Sequence, residues 1–309
     1  MILISVKTLR TGGALLLPAM LAVTIAIGAC GSTPDGEDGG LLVVATTTVL
    51  GDLATAVAGD AASVEVLIPI GVDPHDYQPS ARQIARLSDA DLVVVNGLGL
   101  EEGLEDAIAG AAADGVAVLE VAALLDPLPF GDDEGLDPHM WLDPVRMAQA
   151  AGLVADALAD LDPGAGFAAR GAEYADELLA ADATIRDLLA PIPEDRRLLV
   201  TNHEAFGYFA ARYGFTVVGV IVPGGSTLAE PSSAELAALV AVIRELGVPA
   251  IFAETTQPVA LAEAVAAELG DTVTVVELYS ESLGAPGTPA ATMPGMLVEN
   301  ARRIAAALS

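Results

Sequence analysis

Residues 167–189, FAARGAEYADELLAADATIRDLL, contain no proline and a single glycine, Gly171. Pro191 follows shortly afterwards, so the pattern predicts one continuous α-helix that ends there. A helix of this length is long for a globular domain, and it lies near the middle of the 309-residue chain. We therefore expect a single helix that joins two parts of the protein, and the sequence on either side indicates what those parts are.

The block before this helix alternates short apolar runs with helical stretches. Strands are predicted at 41–46, 64–69, 92–96 and 116–121, and helices at 50–58, 80–90, 104–112 and 143–161. The run Leu-Val-Val-Val that begins at Leu92 is typical of a buried parallel strand. Strands that alternate with helices in this way predict an α/β lobe with a parallel sheet.

The block after the helix repeats the alternation. Strands are predicted at 198–201, 215–222, 250–253 and 273–278, and helices at 205–213, 233–246, 259–269 and from about residue 296. We therefore predict an α/β fold of two similar lobes with parallel sheets, joined by one long rigid helix. The predicted domains are an N-terminal lobe at 41–165, a linking helix at 166–192 and a C-terminal lobe at 193–309.

The N-terminal segment has the order of a secretory signal peptide. Lys7 and Arg10 precede an apolar run, Leu15 to Ala29, that ends in small residues before the only cysteine, Cys30. We predict a signal peptide at residues 1–29. The segment also resembles a lipobox, in which the signal is cut before the cysteine and the cysteine then carries lipid. An uncleaved anchor with a chance cysteine is the alternative.

The residues after Cys30, GSTPDGEDGG, contain only turn-forming and acidic types, which suits a flexible tether between lipid and domain. We assign 30–40 to the lipidated cysteine and this tether. The expected location is extracytoplasmic, with the protein anchored by lipid to the outer face of the plasma membrane. A lone cysteine also excludes an internal disulfide framework.

The composition permits a large core without further membrane spans. Hydrophobic residues make up 53% of the chain and its mean hydropathy is +0.56. After residue 30, however, charges recur, and the long uncharged stretch Gly214 to Ala229 is interrupted by Pro223-Gly-Gly-Ser226. Only the N-terminal segment could therefore enter a bilayer.

The strongly acidic charge excludes several classes of partner. The formal net charge is −30, and residues 1–29 hold two of the 13 basic residues and none of the 43 acidic ones, so the mature chain keeps 11 basic residues. Nucleic acids and anionic membrane surfaces are therefore not expected as partners. A solvated acidic surface explains most of this charge, although it also concentrates cations.

The chain contains three histidines, and each lies in a polar segment beside a predicted strand end or helix start. They are His75, His139 and His203, and the carboxylates that could orient their rings are Asp76, Asp137, Asp143 and Glu204. Open α/β sheets bind ligands beyond the carboxyl ends of their strands. A single loop histidine is more often a surface or capping residue, and this spacing alone identifies nothing. The set as a whole favours a metal site.

Three segments carry a resemblance to a known family. They are PHDYQPS at 74–80, DPHMWLDP at 137–144 and NHEAFGYF at 202–209. In content and order they resemble the metal-binding lipoproteins of zinc and manganese ABC importers, over residues 42 to 309. The segment LYSESLG at 278–284 looks like the fourth ligand loop of that family, where an aspartate is usual and this chain has Glu281.

The resemblance implies a metal site in the cleft between the lobes. His75 and His139 would come from the N-terminal lobe, and His203 and Glu281 from the C-terminal lobe. The protein would be the solute-binding component of an importer, a monomer that passes its ion to an ABC permease with its ATPase. Glu254, at a predicted strand end, is a weaker candidate for which a capping or supporting role is expected.

The donor types favour Zn²⁺ as the cargo. Three imidazoles and one carboxylate suit zinc, whereas relatives that carry manganese tend to have a carboxylate in place of the third histidine, here His203. A manganese or iron carrier of the same fold is the alternative. Zinc carriers of this family often have a long His-rich loop, but the corresponding residues 130–135 are few and include no histidine. An auxiliary metal-collecting loop is therefore not expected.

Two other functions fit the sequence less well. A zinc-dependent hydrolase with three histidine ligands needs an open coordination position, which Glu281 would close, and it leaves the lipobox and long helix unexplained. An adhesin role has no support in the sequence. We expect a binding protein in which metal fixes loops of the C-terminal lobe, because one long helix resists hinge opening.

Overall fold

The N-terminal half is built on four parallel strands. A computed structural model describes residues 40–130, 135–270 and 272–309. Its first four strands are β1 (Leu41–Ala45), β2 (Ala62–Val66), β3 (Leu92–Val95) and β4 (Ala117–Glu120), in the order β2-β1-β3-β4. All four residues of β3 are buried, as the uninterrupted apolar run predicts.

Four helices accompany this sheet, and local capping sets where they begin. They are α1 (Thr48–Ala58), α2 (Ala81–Asp89), α3 (Glu105–Ala113) and α4 (Pro144–Leu161). Ser80 and Gln83 form a capping box at the start of α2. Asp143 caps α4 by accepting a hydrogen bond of 2.9 Å from the backbone N–H of Val145. These caps fix the loops that precede the helices, and those loops carry two of the histidines.

The long central helix has the predicted bounds. Helix α5 (Phe167–Leu189) spans 23 residues, and eight of them are buried at positions spread along its length. The prediction of a single uninterrupted helix is therefore confirmed.

The C-terminal half repeats the arrangement of the first. Its strands are β5 (Leu198–Thr201), β6 (Thr216–Val220), β7 (Ala250–Glu254) and β8 (Thr274–Leu278), all parallel and in the order β6-β5-β7-β8. Its helices are α6 (Gly207–Tyr213), α7 (Ser233–Leu246), α8 (Ala260–Leu269) and α9 (Met293–Leu308). The fold class of two similar α/β lobes joined by one long helix is therefore confirmed. The exact domain boundaries remain predictions.

Several predicted ends moved by two or three residues. Helix α1 begins at Thr48 instead of Leu50, because Thr47 is its N-cap. Helix α9 begins at Met293 instead of near residue 296, since Thr292 caps it and a proline suits the first helical turn. Strand β2 ends at Val66, although the backbone N–H groups of the next two residues still bond to the end of β1.

Helix α5 packs against both lobes. It contacts α1 and α4 of the first lobe and α9 of the second. Its buried residues Leu178 and Ile185 belong to one apolar cluster that extends from Val43 in β1 to Leu308 in α9. The two lobes therefore share a core through this helix.

A buried carboxylate ties α5 to α6. Asp182 in α5 accepts hydrogen bonds from Arg212 Nε at 2.7 Å, from Arg212 Nη2 at 2.6 Å and from the Tyr213 hydroxyl at 2.9 Å. Arg212 Nε also lies 3.2 Å from Asp143 Oδ1, at the N-cap of α4. Because several donors surround Asp182, the negative charge of this buried carboxylate is compensated. The network also joins both lobes to the linking helix.

Helices α4 and α5 approach closely at a glycine. A methyl group added at Gly171 would lie 2.9 Å from Ala155 Cβ and 3.0 Å from the Ala151 carbonyl oxygen, whereas one added at the exposed Gly152 of α4 meets no atom of the described residues within 4 Å. We expect Gly171→Ala to lower the free energy of unfolding by about 1–3 kcal/mol through overpacking. Gly152→Ala should raise it by about 0.5–1 kcal/mol, because alanine favours the helix. Urea unfolding of the metal-free proteins measures both, and a stabilising Gly171→Ala would contradict the close packing.

The predicted signal peptide at 1–29, Cys30 and the tether up to residue 39 lie outside the described residues. Within the described ranges, no helix is both long enough and apolar enough to cross a bilayer.

Candidate metal centre

Three imidazoles and one carboxylate converge in the structure. His75, His139, His203 and Glu281 each offer one donor atom, and these atoms all lie within 4.8 Å of one another. The Nε2 atom of His139 is 3.4 Å from that of His75 and 3.2 Å from that of His203. The Oε1 atom of Glu281 is 3.4 Å from His203 Nε2 and 3.8 Å from His139 Nε2. The four residues expected at the site are therefore brought together.

The topology explains this convergence. His75 lies between β2 and α2, and His139 between β4 and α4, while His203 and Glu281 follow β5 and β8. Each side chain thus lies beyond the carboxyl end of a parallel strand, where open α/β sheets place their ligands. Two come from each lobe, so the cluster lies between the lobes. None of the four residues is more than 3% exposed to solvent.

Asp137 orients the ring of His139. Its Oδ1 accepts a hydrogen bond of 2.8 Å from His139 Nδ1 and another of 2.9 Å from the His139 backbone N–H. Because Nδ1 donates to a carboxylate, Nε2 is the free ring nitrogen, and it faces the other donors. Burial raises the pKa of Asp137 to about 7 and holds the pKa of His139 well below its usual value.

Glu254, at the end of β7, orients the ring of His203. Its Oε1 accepts hydrogen bonds from His203 Nδ1 and, at 3.3 Å, from the His203 backbone N–H. Burial by itself lowers the pKa of His203, but the carboxylates of Glu254 and then Glu281 outweigh it and raise that pKa to about 9. Without metal, His203 is therefore protonated at neutral pH and paired with Glu254.

His75 is held through its backbone. Its N–H donates to Asp73 Oδ1 at 2.9 Å, while its own Nδ1 has no hydrogen-bond partner among the described residues. Burial, followed by repulsion from His139 and His203, lowers the pKa of His75 to about 3. Its imidazole is therefore neutral at physiological pH, which is the form that binds metal.

Glu281 is the least satisfied group in the cluster. Both of its carboxylate oxygens are buried and lack a hydrogen-bond partner within the described ranges. Burial raises its pKa well above the usual value. A buried carboxylate without donors is unfavourable, and a cation placed among the four donor atoms would compensate it. The loop is positioned by Trp141, whose indole N–H donates to the Ser280 carbonyl at 2.5 Å.

The orienting carboxylates were predicted only in part. Of the four candidates flanking the histidines, Asp137 alone bonds to one of the rings within the described chain. Asp143 instead caps α4 and pairs with Arg212. For His203 the flanking candidate Glu204 is not the ring partner. That partner is Glu254, for which a supporting role was expected, and it lies 51 positions away at the end of the strand next to β5.

Two α/β lobes whose strand ends hold a buried group of three imidazoles and a carboxylate define a metal-binding solute-binding protein. The family described as zinc-uptake complex component A, periplasmic (ZnuA), matches residues 43–307, and the chain belongs to this family.

Individual relatives are similar over almost their whole length. The zinc-binding protein TroA of Treponema pallidum is 36% identical over 290 residues, or 91% of this chain and 93% of TroA. The manganese-binding lipoprotein MntA of Halalkalibacterium halodurans is 34% identical over 295 residues, or 94% of this chain and 96% of MntA. The solved structure of periplasmic zinc-binding TroA from T. pallidum matches with a TM-score of 0.81 at 34% identity, covering 88% of this chain and 100% of that one.

These comparisons set the function class. The chain is the solute-binding component of a metal ABC importer, as the family and its relatives are. It is not an enzyme, since the family and its structural neighbours are transport proteins. The hydrolase alternative is thereby excluded.

Proposed function

We propose that this protein binds one Zn²⁺ ion as its cargo, with His75, His139, His203 and Glu281 as ligands, and delivers it to the permease. The observation that supports the proposal is the buried carboxylate of Glu281, which has no hydrogen-bond partner among the described residues, beside three inward-facing imidazoles. A buried carboxylate without hydrogen-bond donors is unfavourable, and three imidazoles with one carboxylate suit a divalent cation.

The donor set and its spacing support zinc. Tetrahedral zinc with bonds near 2.0–2.1 Å places its ligand atoms about 3.3 Å apart. Four separations between donor atoms, of 3.2, 3.4, 3.4 and 3.8 Å, lie close to that value, and all the donor atoms lie within 4.8 Å of one another. Three imidazole nitrogens also suit zinc better than manganese, which prefers oxygen.

A manganese or iron cargo is the second candidate. Relatives named for manganese, zinc and iron all match this chain. Both oxygens of Glu281 are free of hydrogen bonds within the described ranges, so both could bind one ion and raise its coordination number to five. That option would suit a larger, harder ion.

The partner and location follow from the same proposal. The family works with an ABC permease and its ATPase. We further propose that the protein is a monomer, cut before Cys30 and held by lipid on the outer face of the plasma membrane. The order of the N-terminal segment supports this, as do relatives named lipoproteins.

Metal binding would order loops rather than swing whole lobes. The core shared through α5 supports this mode, because hinge opening would have to disrupt packing on both sides of one helix.

The test is a competition between metals. The full-length protein, purified in detergent and stripped of metal, is titrated with Zn²⁺ and then challenged with excess Mn²⁺. We expect one zinc ion per chain that manganese does not displace. Displacement by manganese would keep the site and change its cargo, whereas no stoichiometric binding of either ion would overturn the proposal.

A further inference from the structure

Asp73 is a buried carboxylate that receives hydrogen bonds from both lobes. It is 7% exposed and lies two residues before His75. Its Oδ1 accepts from the His75 backbone N–H at 2.9 Å. Its Oδ2 accepts from the Thr227 hydroxyl at 2.5 Å and from the Gln257 side-chain amide. Thr227 and Gln257 both belong to the C-terminal lobe, so Asp73 bridges the cleft.

The two loops held by Asp73 support the other side of the metal centre. Gln257 follows β7 by three residues, and β7 ends at Glu254, the ring partner of His203. Thr227 lies in the loop between β6 and α7, where the Gly224 carbonyl accepts a hydrogen bond of 3.4 Å from the backbone N–H that follows His203. Asp73 thus connects the backbone of one histidine to both loops that support another.

The position of Asp73 suits a reversible contact. It is not among the four residues whose donor atoms converge, so it can lose its partners without removing a ligand. Hydrogen bonds to a carboxylate are stronger than neutral ones and depend closely on geometry. These hydrogen bonds therefore hold the loops of Thr227 and Gln257 against Asp73, yet a small separation of the loops breaks them.

Escape of an ion requires such a separation. The four proposed ligands are at most 3% exposed among the described residues, so an ion held by them leaves when the surrounding loops part. Thr227 and Gln257 lie in loops, outside the helices that contact α5, so parting these contacts does not require the packing of α5 to change.

We propose that Asp73 is a positioning residue that latches two loops of the C-terminal lobe over the bound ion and so sets the rate of metal release. The inference rests on the proposed zinc-binding function. Asp73 acts through Thr227 and Gln257, and it slows dissociation without contacting the metal. A permease that pulls either loop away would release the ion with the lobes still joined.

The test removes the donors of the second lobe and keeps Asp73 and His75. Full-length protein in detergent, loaded with one zinc ion, is mixed with a fluorescent chelator, and the rate of zinc transfer is followed by stopped flow. The Thr227→Val, Gln257→Leu double variant should release zinc about tenfold faster than the unchanged protein, and each single variant about threefold faster. All should still bind one ion per chain.

Two matched variants separate the latch from a general loosening of the loop. Ser226→Ala removes the neighbouring hydroxyl, which bonds within its own loop to the Leu228 N–H at 3.4 Å, and should leave the release rate unchanged. Thr227→Ser restores the donor and should keep the slow rate. Zinc bound one to one with equal release rates in all variants would overturn the latch alone. Failure of the unchanged protein to bind zinc would instead overturn the proposed function.

Discussion

Replacement of His203 by alanine is expected to weaken zinc binding by roughly 100- to 1000-fold, or about 3–4 kcal/mol. The binding free energy of zinc at a four-ligand site is roughly 10–16 kcal/mol, and each ligand contributes about a quarter of it. The loss has a second component in this protein, because Glu254 would be left buried without its imidazole partner. An unpaired buried charge destabilises the closed arrangement further.

The control for this variant is the adjacent residue. Glu204 is partly exposed and its side chain forms no hydrogen bond to the four clustered residues within the described chain, so Glu204→Gln should bind zinc as tightly as the unchanged protein. Competition with a chelator of known affinity measures both. Near-normal affinity in His203→Ala would mean that this imidazole is not a ligand.

Zinc affinity is also expected to fall about tenfold for each pH unit below about pH 9, since binding must displace at least one proton from the site. His203 carries that proton, because its pKa is raised to about 9. His75 and His139 contribute little to this dependence near neutrality, as their pKa values lie far below it. Between pH 8 and pH 6 the weakening should reach about 100-fold.

The direction follows from the charge on each form. Protonated His203 is stabilised by Glu254 and repels an incoming cation, so raising the pH removes the competitor and strengthens binding until the curve levels near pH 9. Glu281, whose pKa is raised well above its usual value by burial, adds a second proton to be displaced as the pH falls.

A variant of the ring partner provides the comparison. Glu254→Gln removes the main charge that raises the pKa of His203, so the levelling point should shift to lower pH. Chelator competition at a series of pH values gives both curves, and proton release measured by calorimetry gives the number displaced. An affinity that does not change between pH 6 and pH 8 would contradict the protonated state of His203.

The sequence was sufficient to predict the architecture because local patterns determine it. Strands and helices alternate on both sides of a stretch that lacks helix breakers, and the all-apolar run at β3 marks a buried parallel strand. The four clustered residues were also predictable, since three occur in segments that resemble a family and the fourth in its last loop. Only their convergence required the structure.

The supporting contacts between distant residues could not be predicted as pairs, whereas Asp137, two positions from His139, was among the candidates. His203 and Glu254 are separated by 51 positions, and Asp73 is separated from Thr227 by 154 and from Gln257 by 184. Such pairs are determined by strand order and loop packing. A carboxylate near a histidine in sequence can instead be a helix cap, as Asp143 is.

The core that both lobes share affects the order in which the chain folds. Residues from Val43 in the first strand to Leu308 in the last helix belong to one cluster, and α9 packs along α5. Contacts that span nearly the whole sequence form late and slowly. A chain that emerges N-terminus first therefore cannot complete this shared core until α9 has also emerged, so the two ends of the described chain pack together late.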